Sequence, residues 1–230
     1  NFAPRFAIAY RLAKDWTTSL AYGIFHQNPE SKYINSPSKL DFQQSQHYIF
    51  QLQRNTDRRS LRLEVFYKKY DDLIKVQNIT NIPGQSQPLQ TAVNNNGNGF
   101  AKGAEFFFRD KKTFENIDYW ISYSYLDSKR DFLNYPMSLK PGFASEHTVS
   151  VVAKRFFPKL KFGTNLSFNY AKGRPYYDIA SNNGENIIRN EGSLKDFSSL
   201  NLSFNYLPNI GKKDAKAFTI FGVSLSNVLG

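Results

Sequence analysis

The sequence predicts an all-β fold, a transmembrane antiparallel meander β-barrel with about ten strands in this chain. Three observations carry that prediction. Apolar and polar residues alternate with a period of two in ten separate runs. The runs are joined alternately by short turns and by long polar connections. No stretch of about 18 apolar residues exists that could cross as a helix, whereas a barrel strand needs an apolar residue only at every second position.

The elements follow in order. Phe6, Ile8, Tyr10 and Leu12 alternate with Arg5, Ala7, Ala9 and Arg11. After the hairpin-length link Ala13-Lys14-Asp15, Trp16, Thr18, Leu20, Tyr22 and Ile24 alternate with Thr17, Ser19, Ala21 and Gly23. The second pair sets Tyr48, Phe50 and Leu52, then Leu61, Leu63, Val65 and Tyr67, against His47, Gln51, Gln53, Arg62, Glu64 and Lys68. The third has Ala104, Phe106 and Phe108, then Ile117, Tyr119, Ile121, Tyr123 and Tyr125. The fourth is the weaker run at Val149 and Val151, followed across Pro158-Lys159 by Phe162, Leu166, Phe168 and Tyr170. Leu200, Leu202, Phe204 and Tyr206, then Phe221, Val223 and Leu225, make the fifth.

Residues 28–44, 72–99, 127–145 and 172–196 are rich in Asn, Gln, Ser, Gly and Pro and read as loops. A compact soluble domain seldom carries several loops longer than about 15 residues, but barrels of the outer membrane pair short periplasmic turns with long external loops. Leu63, Ile121, Phe168, Leu202 and Phe204 should then face lipid, and Glu64, Ser122, Asn169 and Ser203 the lumen. Tyr10, Trp16, Tyr22, Tyr67 and Tyr206, near strand ends, suit the aromatic girdles at the two interfaces.

Composition removes several other classes. Aromatics make up 16% of the chain and charged residues 21%, which is rich in β-formers and too polar for a helical membrane protein. Cysteine is absent, so disulfide scaffolds and thiolate chemistry are excluded. The net charge of +11 invites a nucleic-acid partner. However, basic residues such as Lys14, Arg58, Arg59, Lys111, Lys112, Lys159, Lys161, Lys212 and Lys213 punctuate turns instead of forming a stripe, so no nucleic acid is expected. The start at Asn1-Phe2-Ala3-Pro4 lacks the features of an export signal, which is expected upstream.

Longer strings carry a family resemblance. Arg62-Leu63-Glu64-Val65-Phe66-Tyr67-Lys68-Lys69-Tyr70-Asp71-Asp72-Leu73-Ile74, Asn98-Gly99-Phe100-Ala101-Lys102-Gly103-Ala104-Glu105-Phe106 and Asp118-Tyr119-Trp120-Ile121-Ser122-Tyr123-Ser124-Tyr125 resemble strands of TonB-dependent outer-membrane receptors. So do Gly173-Arg174-Pro175-Tyr176-Tyr177 and Leu225-Ser226-Asn227-Val228-Leu229-Gly230. The resemblance implies that 1–230 is a partial barrel domain, strands 12 to 21 of a 22-stranded barrel, with the plug domain and the closing strand not included. It implies energy-coupled uptake of a scarce nutrient of the siderophore, cobalamin, oligosaccharide or peptide class. Its implied partners are membrane lipid and lipopolysaccharide, TonB reached through an N-terminal plug, an external small-molecule, glycan or peptide ligand, and a surface lipoprotein. The alternative is a self-contained barrel acting as a pore, an adhesin or a structural component.

No catalytic residue, cofactor or metal site is expected. His26, His47 and His147 fall near external strand ends without ligand spacing, and His147 and Ser150 alternate onto opposite faces. Neither a Gly-x-Ser-x-Gly elbow nor a phosphate loop is present. Gln27, Asn28, Arg174, Tyr176 and Tyr177 are the candidate ligand-binding residues, because they lie at the external mouth and because Tyr and Arg combine contact area with directional hydrogen bonds.

Overall fold

The computed structural model describes residues 2–34, 40–79, 90–182, 185–212, 214 and 216–229. Asn1, Lys213 and Gly230 lie outside them, as do parts of three of the expected loops. The strands are β1 (Arg5–Ala13), β2 (Trp16–Gln27), β3 (Gln43–Asn55), β4 (Arg59–Ile79), β5 (Gln90–Asp110), β6 (Ile117–Asp131), β7 (His147–Phe157), β8 (Phe162–Ala171), β9 (Pro175–Asn182), β10 (Glu185–Ser193), β11 (Phe197–Tyr206) and β12 (Phe221–Leu225). A four-residue helix, α1 (Ser31–Ile34), follows β2.

Ten strands form one antiparallel sheet in the order β1-β2-β3-β4-β5-β6-β7-β8-β11-β12, the expected meander, while β9 and β10 pair only with each other. The sheet is open, with β1 and β12 as its edges. Two expectations need correction. Residues 172–196, read as a loop because of their Gly, Asn and Ser content, contain the β9–β10 hairpin, where Tyr176, Ile179, Ile187 and Ile188 supply β-forming side chains between the polar ones. Residues 72–99 likewise hold the outer halves of β4 and β5, which stay paired to Ile79↔Gln90 through two irregularities near Leu73.

Register fixes the two faces, since directly paired residues share a side. One row runs Leu52↔Leu63↔Phe106↔Tyr123↔Val149↔Tyr170, and Leu63 and Val65 are 43% and 50% exposed. The alternate row runs Gln53↔Arg62↔Phe107↔Ser122↔Ser150↔Asn169↔Ser199, in which the Ser150 hydroxyl donates to Asn169 Oδ1 at 2.9 Å. The first row is the lipid face and the second the lumen face. A water-soluble sheet exposing an apolar row of this extent would aggregate, whereas lipid accepts it and the ladders satisfy the backbone.

The lumen face is less uniformly polar than alternation implies. Phe66 lies against the space over Gly103, the Arg62 guanidinium stands 5.9 Å from the Phe107 ring, and Ile49 pairs with Phe66 on the same side. The aromatics of the lipid face gather at two levels. Tyr22, Tyr48 and Tyr67 form a contiguous external row with ring centroids 5.0 and 6.3 Å apart. Phe162 and Phe204, then Tyr206 and Phe221, stack at the opposite end. These are the interfacial belts of a membrane barrel.

Among the described residues the buried apolar side chains are Leu73, Ile74, Val93 and Ala101, on the outer part of the β4–β5 hairpin, and Pro141, in the connection after β6. Among the described residues the dry packing therefore sits at the external end, and no core is sandwiched between sheets.

Candidate functional site

Three long connections converge over the external end of the wall. The tip of β4 is tied to the segment after β6: Val76 N–H donates to Leu133 O at 2.8 Å, Leu133 N–H donates to Ile74 O at 2.6 Å, and Lys75 Nζ pairs with Asp131 at 2.5 Å. The β9–β10 hairpin, growing from the end of β8, reaches the same tip, where Asn186 Nδ2 donates to Val76 O at 3.1 Å. Tyr177 of β9 meets Tyr135 edge to face at 5.7 Å, and the Tyr135 hydroxyl accepts the Gly142 N–H at 3.1 Å. Loops cross-braced in this way present a preformed surface to a ligand.

The hairpin base is held by charge. Asp196 accepts from the Tyr170 hydroxyl at 2.6 Å and from the Gly173 N–H at 2.8 Å, and these two donors hold its carboxyl below the usual carboxylate range. Glu146 accepts from Lys172 at 3.0 Å and Lys140 at 3.2 Å, with the same depressing effect. Gly173 is required there for space, because a Cβ would lie 1.8 Å from the Leu194 carbonyl oxygen.

Of the candidate residues, Arg174, Tyr176 and Tyr177 stand together on this hairpin. Arg174 is exposed and its carbonyl accepts the Leu194 N–H at 2.9 Å. Tyr176 is 43% exposed and crosses over its register partner Gly192. Tyr177 faces inward onto Tyr135, and burial pushes its phenol up. Gln27 and Asn28 are at the far side, at the top of β2, where Gln27 pairs with Gln43. Phe25 and His47 pack nearby in a tilted pair with centroids 4.6 Å apart, and the Arg5 guanidinium lies 4.6 Å from the Phe25 ring.

Sequence reasoning missed Arg130. It lies on the lumen face at the top of β6 and stacks 4.2 Å from the Tyr70 ring centroid, 5.3 Å from Phe143 and 5.6 Å from Phe132. The signal was present as aromatic residues at 132, 135 and 143 inside a Pro-containing connection, a placement that marks loops with a packed interior.

The opposite, periplasmic end of the lumen face carries a cavity of about 830 Å³ whose lining includes Arg58, Lys111, Lys112, Lys154 and Arg155, against Glu115 and Asp118. Asp118 is held by Arg109 through Nε at 2.8 Å and Nη2 at 2.5 Å. The buried Oδ1 of Asn165, in the same lining, has no partner among the described residues.

Comparison with known proteins matches this architecture. The chain is similar to the outer membrane transporter YddB from Escherichia coli (TM-score 0.74, 12% identity, 100% of this chain and 37% of that one). It is also similar to the siderophore receptor PirA from Acinetobacter baumannii (TM-score 0.69, 14% identity, 100% and 37%). The FrpB iron transporter from Neisseria meningitidis, F3-3 variant, aligns with TM-score 0.68 and 13% identity over 90% of this chain and 32% of that one. The chain thus spans about a third of the length of these structures. Nothing among curated proteins matches it. The family model described as TonB dependent receptor-like, beta-barrel matches residues 1–228, and with an open meander of lipid-facing strands beneath braced external loops, this chain belongs to the TonB-dependent receptor β-barrel family of the Gram-negative outer membrane.

Proposed function

We propose that the chain is one wall of a wider, 22-stranded barrel that imports a scarce nutrient by energy-coupled transport, with an N-terminal plug in the lumen and TonB as the energy-transducing partner. The observation that carries this reading is the convergence of the β4 tip, the segment after β6 and the β9–β10 hairpin on one external surface. Two features of the lumen face support an occupied interior. Ile49 and Phe66 would stand in water in an open pore, and the basic periplasmic cavity suits a covering domain with an acidic face. Arg174, Tyr176 and Tyr177 contact ligand on the hairpin, with Gln27 and Asn28 across the mouth. The ligand is a siderophore, cobalamin, oligosaccharide or peptide, and iron and siderophore transport by the similar structures favours the first class. The lipid face meets lipopolysaccharide in the outer leaflet, and a surface lipoprotein is a further partner.

The test is uptake. The compound that co-purifies with the full-length receptor is identified by mass spectrometry, labelled, and offered to cells with and without TonB. Uptake should fall by at least about tenfold without TonB, as expected when transport depends on coupled energy and not on passage through a pore. Equal uptake in both strains would establish the self-contained pore instead.

A further inference from the structure

Arg130 is a cation prepared for a partner it lacks. Its side chain runs through the space left by Gly99, whose Cβ would lie 2.9 Å from Arg130 Cγ. Three rings, Tyr70, Phe143 and Phe132, then hold the guanidinium at 4.2, 5.3 and 5.6 Å. Its Nε is buried and has no hydrogen-bond partner.

Neighbouring charges do not supply the missing partner. Asp71 pairs with Lys69, Asp127 with Lys102, Asp131 with Lys75, and Glu146 with both Lys140 and Lys172. Among the described residues no carboxylate lies within ion-pair distance of Arg130. The backbone around it is fixed, since Arg130 and Leu139 exchange both N–H···O bonds, at 2.8 and 3.0 Å. A charged group that is partly desolvated, oriented by packing and left without a counter-charge at the mouth of a lumen marks a binding position more than a structural one.

We infer that Arg130 is the anchor for an oxyanion, a carboxylate or phosphate, on the ligand that enters from outside. The guanidinium is suited to this because its planar fork meets two oxygens at once, and the three rings packed around it restrict its motion. The surrounding lumen wall favours the same sign of ligand. Arg5 and Lys68 share the external half of this face with Arg130, and the carboxylates Glu64 and Glu105 lie deeper. This inference rests on the import reading and adds to it the charge of the ligand.

The experiment is calorimetric titration of the complete receptor in detergent with citrate and with inorganic phosphate, using glucose as the uncharged probe. Citrate or phosphate should bind and glucose should not. Arg130→Gln should weaken that binding at least about tenfold, Arg130→Lys should retain an intermediate affinity, and Lys159→Gln, at an exposed position in the short turn after β7, should leave it unchanged. Phe143→Leu, at an exposed loop position, tests the stacking without removing the charge and should weaken binding a few-fold.

Unchanged anion affinity in Arg130→Gln overturns the inference, and so does failure of both anions to bind the wild-type receptor. The latter result would follow if a carboxylate from another part of the receptor already fills the position. Should Arg130→Gln not assemble, Arg130→Lys and Phe143→Leu decide the matter by the same criterion. TonB-dependent uptake is measured separately, so retained uptake with no anion binding defeats this inference while leaving the import reading in place.

Discussion

Leu202→Arg is expected to remove most of the folded receptor from the outer membrane, whereas Ser203→Arg leaves most of it in place. Leu202 sits halfway along β11 on the lipid face, paired with Leu166 on one side and Leu225 on the other. A charge at the bilayer midplane of such a barrel costs about 2 to 4 kcal/mol, which lowers the folded-to-unfolded ratio by roughly 30-fold to nearly a thousandfold. Ser203 points the other way and lines the periplasmic lumen cavity beside Asn165 and Asn205. Water reaches an arginine there, and its repulsion from Lys154 is screened. The fraction of heat-modifiable protein on unboiled gels reads both variants. Equal loss from the two positions would remove the basis of the face assignment.

Gly173→Val is expected to open the base of the β9–β10 hairpin without preventing assembly of the barrel wall. The new Cβ would collide with the Leu194 carbonyl at 1.8 Å, so the two backbones must part. Overpacking of this kind costs about 1 to 3 kcal/mol. That is enough to release the Gly173 N–H from Asp196 and the Leu194 N–H from Arg174, while β8 and β11 keep their own register from Phe197↔Ala171 to Tyr206↔Phe162. Protease added to intact cells should cut between residues 174 and 194 at least about tenfold faster in the variant, with the heat-modifiable fraction unchanged. An unaltered cleavage rate would mean that the hairpin is held by its contact with β4 alone.

Period-two alternation made the ten wall strands legible, because lipid on one side and a hydrated lumen on the other impose the same rule on every strand. Leu63, Phe106 and Tyr123 share a face in the structure as their spacing requires. The rule lapses beyond the membrane, which is where the reading failed. Residues 90–99, 175–182 and 185–193 are strands stabilised by pairing with a neighbour and by loop packing, not by partition between two solvents, so their Asn and Gly content resembled loop. Candidate binding residues are harder to read for a related reason. Tyr176 and Arg174 were accessible to inference as surface Tyr and Arg near a strand end, but Arg130 acquires its character from Tyr70, sixty positions earlier, and from Phe143 beyond the next turn. Such convergence is set by tertiary packing and leaves only a faint trace, the aromatic residues interspersed in 132–143.

The most direct test of the wider barrel is whether β1 and β12 ever meet. This chain has no cysteine, so in the full-length receptor paired cysteines placed on its lipid face meet no other thiol of the same segment. Leu202→Cys with Leu225→Cys, at register partners, serves as the positive control and should form a disulfide on oxidation. Val223→Cys combined in turn with Phe6→Cys, Ile8→Cys or Tyr10→Cys samples the two sheet edges, and a disulfide needs Cα atoms about 4.4 to 6.8 Å apart. A wall segment of a 22-stranded barrel predicts no intramolecular disulfide in any of these three pairs, because other strands separate β1 from β12 on both sides. Efficient disulfide formation in any one of them, at the level of the control, would show a ten-stranded barrel closed on itself and contradict the account.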